Sequence, residues 1–425
     1  MLLFLAAFVG TRRHRQAVKA VGQDSAPSII AAQSIKADLA DLDANVANEL
    51  MVKPGKSAGS IADYSQRRRE VGDNLIRAAE NITYGDAERR PIRVMETALS
   101  DYETSAARAR TLHERGDDPA SLEAYRQAYR VLEETLLPAA DDLSKANTEA
   151  LDHTYAHANA ISVGMSAFLL LAGAALLTAL IYTQMFLSRR MRRTLNPALL
   201  LASVIAACFP LYTLQAFRAA THQLKIARED AFTSIQALWQ ARAVAYDANT
   251  DESRWLLDRD RAPKYQTNFF TRTAQLLQLP GGQSYEAVGI VSQGALPSEA
   301  KGFMATELGN ITFVGERDAA LEALRAYGVY YQDDRKIRDL ENTGHHEAAV
   351  AYCISMAPGD SNWAFDQFDK ALGKTIDINR QAFDTAIARG FHSLNGMDIL
   401  CVVLCLSIAA LSFVGLRPRL REYHL

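Results

Sequence analysis

The chain has 425 residues, a formal net charge of −3 and four cysteines. That length allows two or three domains, and the absence of any basic domain argues against nucleic-acid binding. Cys208, Cys401 and Cys405 fall in apolar runs and Cys353 stands alone in polar sequence, without a CxxC pair, so neither a zinc site nor a disulfide framework is expected.

The first ten residues, Met1–Gly10, are apolar and lead into Thr11-Arg12-Arg13-His14-Arg15. They read as the outer half of a first transmembrane helix (1–10), too short to cross alone. Residues 11–159 read as a first extracytoplasmic helical bundle. Ile35, Leu39, Leu42, Val46 and Leu50 mark one face of its first helix, ended by Lys53-Pro54-Gly55-Lys56. Ser60–Glu80 and Glu88–Arg115 are the next helices, the latter with Val94, Leu99 and Tyr102 inside. Gly116-Asp117-Asp118-Pro119 stops that helix and starts a fourth, with a kink expected at Pro138.

Ala160–Ser188 and Thr194–Phe217 carry no charge, and each is long enough for the roughly 20 helical residues that cross a bilayer. The spans are placed at 160–188 and 195–217. Between them lies a basic turn (189–194) with Arg189, Arg190, Arg192 and Arg193, and basic loops stay in the cytoplasm. Residues 218–396 then repeat the plan as a second extracytoplasmic bundle. Asp258-Arg259-Asp260-Arg261 and Pro263 mark a bend, and Lys264–Leu279 and Glu316–Leu340 are helices. Pro280–Asn310 is an irregular, glycine-bearing insertion. The last helix, broken at Pro358-Gly359, carries Phe365, Phe368, Leu372, Ile376, Asn379, Phe383 and Ile387 as a helical stripe. A final span (397–416) and a basic cytoplasmic tail (417–425) close the chain. Setting aside the arginine turn and the tail, the remainder carries −9, so charge follows membrane side.

Short strings recur in order between the halves. Asp43-Ala44-Asn45 returns as Asp247-Ala248-Asn249, and Asn81-Ile82-Thr83-Tyr84 as Asn310-Ile311-Thr312-Phe313. Ala98-Leu99 with Tyr102 returns as Ala323-Leu324 with Tyr327, and Asn147 with Ala150 as Asn379 with Ala382. This order indicates an internal duplication. The fold class expected is an all-α membrane protein, with two extracytoplasmic four-helix bundles, similar to chemoreceptor sensor domains, on a transmembrane helical bundle.

Catalytic chemistry is not expected. Gly373-Lys374-Thr375 lacks the strand and earlier glycine of a phosphate loop, and His345-His346-Glu347 lacks a further ligand at metal spacing. Asn81-Ile82-Thr83 and Asn310-Ile311-Thr312 fit a glycosylation pattern, but their repeated position argues for helix capping. No enzyme activity, cofactor or metal is assigned.

The polar residues singled out as ligand or partner contacts are Asp43, Asn45, Asp247, Asn249, Arg254 and Trp255. For the aspartate–asparagine pairs the competing reading is interhelical hydrogen bonding. For Asp251-Glu252-Ser253-Arg254-Trp255 one reading is a guanidinium open to a carboxylate ligand, with Trp255 as an interface anchor. The other is a surface ion-pair cluster with Trp255 in the core. Pro210, inside a span, is either a hinge or a tolerated kink.

Ala37–Asn48 and the run Asp247–Leu257, with the span order and minimal cytoplasmic parts, resemble the GlnX-type actinobacterial membrane sensors. That resemblance covers essentially the whole chain. It implies two bundles related to chemoreceptor sensor domains, a solute-binding lipoprotein partner of the glutamine-binding type outside, and protein kinase G inside. It further implies sensing of amino acids such as aspartate and glutamate. The expectation is a signal relay in the cell membrane, with lipid around its spans and both large segments extracytoplasmic. A direct small-molecule receptor and a non-signalling assembly factor of an envelope complex remain alternatives, and homodimerisation is left open.

Overall fold

The computed structural model describes residues 1–191, 196–282, 284–291 and 296–421. Among these, helices account for nearly all regular structure, and one isolated antiparallel bridge joins Gln278 to Lys301. The helices are α1 (Leu2–Lys19), α2 (Ala26–Leu50), α3 (Ala58–Glu80), α4 (Asp86–Glu114), α5 (Asp118–Val131), α6 (Leu137–Met191) and α7 (Pro197–Lys225). They continue with α8 (Thr233–Leu257), α9 (Ala262–Leu276), α10 (Tyr285–Val291), α11 (Phe303–Gly309), α12 (Glu316–Asn342), α13 (His346–Ile354), α14 (Ser361–Ser393) and α15 (Met397–Arg421).

Wide π-helical turns interrupt the long helices at Ala20–Ser25, Leu132–Leu136 and Ile226–Phe232. Pro27 and Pro138 follow two of them closely. Proline lacks an N–H, so the carbonyl four residues back loses its donor, and a wider turn accommodates the ring. The kink expected at Pro138 is thus a π turn just ahead of it.

The chain forms two compact units. The first comprises Met1–Gln23, Leu151–Arg228 and Phe383–Leu425. Three helical stretches, within Asp118–Arg189, Pro197–Leu257 and Ser361–Arg417, are long and apolar enough to cross a membrane. Their outward apolar side chains, such as Leu171, Tyr182, Leu211, Ile399 and Phe413, are exposed, as suits a lipid surround. Small residues let these helices approach closely. A Cβ on Gly173 would lie 2.7 Å from the Pro210 ring, and one on Gly10 would lie 2.6 Å from Phe217. Pro210 is therefore a packing residue of α7, seated against α6.

The second unit comprises Asp24–Ala150 and Glu229–Ala382. The expected stripes face inward: Ile35, Leu39, Leu42, Val46 and Leu50 on α2, and Phe365, Phe368, Leu372, Ile376 and Asn379 on α14, are all buried. Val94 is not; it is exposed on α4, while Leu99 and Tyr102 are buried. Helix α2 packs against α8, so the first helix of each half lies against the other. Trp255, Tyr265 and Ile337 join the core of the first half, and Ala37 and Ala40 join that of the second.

The repeated strings occupy repeated positions. Asn81 Nδ2 donates to the Asp24 carbonyl at 2.8 Å and to Ser28 Oγ at 2.7 Å. Asn310 Nδ2 donates to the Asp230 carbonyl at 2.7 Å and to Ser234 Oγ at 3.0 Å. Both carbonyls belong to π turns, so each asparagine clamps the wide turn at the foot of its own half. The capping itself falls to acidic residues. Glu88 accepts from the Thr83 and Tyr84 N–H groups, and Glu316 from those of Thr312 and Phe313. Asn147 and Asn379, both fully buried, each donate to the carbonyl four residues back.

Candidate functional site

The α2–α8 seam is where the sequence-selected residues meet. Facing helices of two polar halves must pair every buried polar group across the seam. Thr250 Oγ1 donates to the Ala40 carbonyl at 2.9 Å, and Ser253 Oγ to Asn48 Oδ1 at 2.7 Å.

At the centre lies Arg254, with no exposed surface. Its Nη2 donates to Asp43 Oδ2 at 2.7 Å and its Nη1 to Asp251 Oδ1 at 2.9 Å. Its guanidinium carbon stands 4.1 Å over the Tyr129 ring. Asp43, on α2, also accepts from the hydroxyls of Tyr102 and Tyr125, each at 2.8 Å. Asp251 pairs in turn with Arg272 of α9, whose Nε lies 3.1 Å from Asp247. Charges thus alternate from Asp43 through Arg254, Asp251 and Arg272 to Asp247. Burial works against the Arg254 charge, but Asp43 and its neighbours outweigh it and raise the group further. Burial, followed by the charge of Asp43, pushes the Tyr102 and Tyr125 phenols well up, so both remain hydrogen-bond donors.

This places the sequence-predicted residues. Asp43 and Arg254 make the interhelical contact itself, and Arg254 belongs to the interior rather than to a surface cluster. Its donors are directed at Asp43 and Asp251. Asn45 donates back to the Asp41 carbonyl on its own helix. Asn249 is buried near the Tyr330 hydroxyl. Trp255 is in the core, with Arg259 over its ring at 4.3 Å and Arg338 at 4.7 Å. Arg189 is exposed near the end of α6. Arg190 lies in that helix, its side chain outside the described residues, and Arg192 and Arg193 lie outside them altogether.

A second constellation, on α12, escaped the sequence reading. Asp334 and Arg338 pair at 2.8 Å inside the second half, beside Glu252 of α8. The spacing of Tyr327, Tyr331, Asp334 and Arg338 along one helical face was the available signal.

Among the described residues no group of three or more histidine, cysteine, aspartate or glutamate side chains is arranged to hold a metal ion.

A helical protein with membrane-capable helices and a polar helical unit fits a membrane-bound receptor or sensor. Residues 17–156 match the actinobacterial sensor domain family. The chain is accordingly a membrane protein that carries a sensor domain, and the match lies over the first polar half. No curated protein matches the chain, and no solved structure matches it.

Proposed function

We propose that the protein is a multi-pass transmembrane sensor, both polar halves extracytoplasmic, that passes external amino-acid status to a cytoplasmic Ser/Thr kinase. The external state is read from a solute-binding lipoprotein. The observation that carries the reading is the buried Asp43–Arg254 contact, which ties the sensor-family half to the second half. A change imposed on one half therefore reaches helices of the other. Because α2 follows α1, and α8 follows α7, through single π turns, a small shift of either helix requires no refolding of a loop. In this reading the arginine turn and the tail meet the cytoplasmic partner.

In-cell crosslinking from the outer halves and from the turn at Arg189, followed by mass spectrometry, tests this. A solute-binding lipoprotein outside and a protein kinase inside are expected. Efficient crosslinking that recovers neither overturns the relay and favours an envelope assembly role. A direct small-molecule receptor is favoured by one specific observation, the unpaired polar atoms around Arg338.

A further inference from the structure

Helix α12 buries Tyr327, Tyr330, Tyr331, Asp334 and Arg338. In the register that matches Tyr102 to Tyr327, α4 of the first half carries Ser105, Ala106, Ala109 and His113 at the last four positions. Glu252 of α8 likewise matches Asn48 of α2. The shared fold therefore does not require these charges, and they set the second half apart from the first.

Their hydrogen-bonding capacity is largely unspent. Arg338 Nε donates to Asp334, but its Nη1 and Nη2 are buried without a partner. So are Asp334 Oδ1 and Glu252 Oε2. The other Glu252 oxygen accepts from Ser361 Oγ at 3.2 Å and from Cys353 Sγ at 3.5 Å. Leaving such groups unpaired costs about 1–3 kcal/mol each, more when charged. Aromatic rings enclose the guanidinium, with Phe269 at 5.2 Å and Phe270 at 5.3 Å.

A second departure of this half meets the first. The insertion after α9 contributes α10, which packs on α12. From it Tyr285 donates to Asp334 Oδ2 at 2.6 Å, and its ring centroid lies 5.2 Å from that of Tyr331.

We propose that Arg338, Glu252 and Asp334 form a binding site for a free amino acid, its carboxylate on Arg338 and its ammonium between the two acids. The forked Nη pair matches a carboxylate, and an ammonium supplies three donors to the orphaned oxygens. A simple anion would leave the acids unpaired and face Asp334. A simple amine would face the guanidinium. Only a zwitterion answers both sets, and its zero net charge leaves the electrostatic balance of the site unchanged. Burial, then the charge of Asp334, raises the Glu252 carboxyl well above its ordinary range. This site does not depend on the relay: a lipoprotein and a kinase can be absent and the ligand still bind.

The test uses the full chain in lipid nanodiscs, titrated with the common L-amino acids, and with acetate and methylammonium as half-ligands. Tryptophan emission, to which Trp255 beside Arg338 contributes, and the thermal transition are followed. At least one amino acid should saturate both signals while the half-ligands do not. Glu252→Gln, nearly isosteric, and Arg338→Lys, which keeps the charge but loses the fork, should each weaken binding about tenfold or more. Silence from every amino acid up to about 10 mM, weaker than the millimolar range of loose ligands, overturns the site and leaves buried water as the occupant. So does binding that survives both substitutions.

Discussion

Arg254 is held by acids on two helices, and its removal leaves Asp43 buried without a cation, while Asp251 keeps Arg272. Breaking a buried pair from one side costs about 3–5 kcal/mol. Arg254→Met should therefore lower the free energy of unfolding by about that much in chemical denaturation. A loss under about 1 kcal/mol would match an exposed pair instead and contradict the burial. Glu307 makes a different statement. It is fully buried against Glu316, Ser234 and Asn379, and its carboxyl is pushed up to about 7, first by burial. The folded chain then holds a proton that the unfolded chain releases near the ordinary value of 4.5. Stability should fall as pH rises from about 4.5 to about 7, by up to about 3 kcal/mol, and level off above. Glu307→Gln should flatten that slope in pH-dependent denaturation. An unchanged slope would move the titration elsewhere. The position matching Glu307 in the first half is Ala78, so this sensitivity belongs to the second half.

At the scale of the element, the asparagine-clamped π turns are the parts best suited to change register. An α-helical turn in place of each would withdraw the Asp24 or Asp230 carbonyl from its clamp. Asn81→Ala and Asn310→Ala should speed amide exchange around residues 24–28 and 230–234 respectively, each at a cost of about 1 kcal/mol. Exchange that rises equally throughout α2 or α8 would show that the clamp does not act locally. These turns were not legible in the sequence. The apolar runs announced the spans, and the stripes of α2 and α14 announced the buried faces, because periodicity is a property of neighbouring residues. A π turn depends on a carbonyl finding a donor some 57 or 80 residues away. Arg254 was half legible for the same reason. Its string is polar enough to resemble a surface, and only Asp43, 211 residues earlier, makes it interior. The Arg338 constellation was missed because each of its members is ordinary alone.

For the whole molecule, the shared seam means that the two polar halves unfold together. All three tryptophans, Trp239, Trp255 and Trp363, lie in the second half. Tyr102→Phe, in the first half, removes one hydroxyl from Asp43 and should still lower the transition that tryptophan emission reports. Independent halves would leave that transition where it was. The paired clamps have a further consequence, for the choice of host. Each clamp asparagine opens an Asn-Ile-Thr triplet, the acceptor pattern for N-linked sugar. Its amide nitrogen is the atom a glycan would take, and that nitrogen is already committed to a carbonyl and a serine. In a secretory pathway that attaches sugar during translocation, the enzyme would reach the nitrogen before the fold does. Chains made there would carry a bulky sugar where each half needs a bare amide. Thr83→Val and Thr312→Val would remove the triplets and leave the clamps intact.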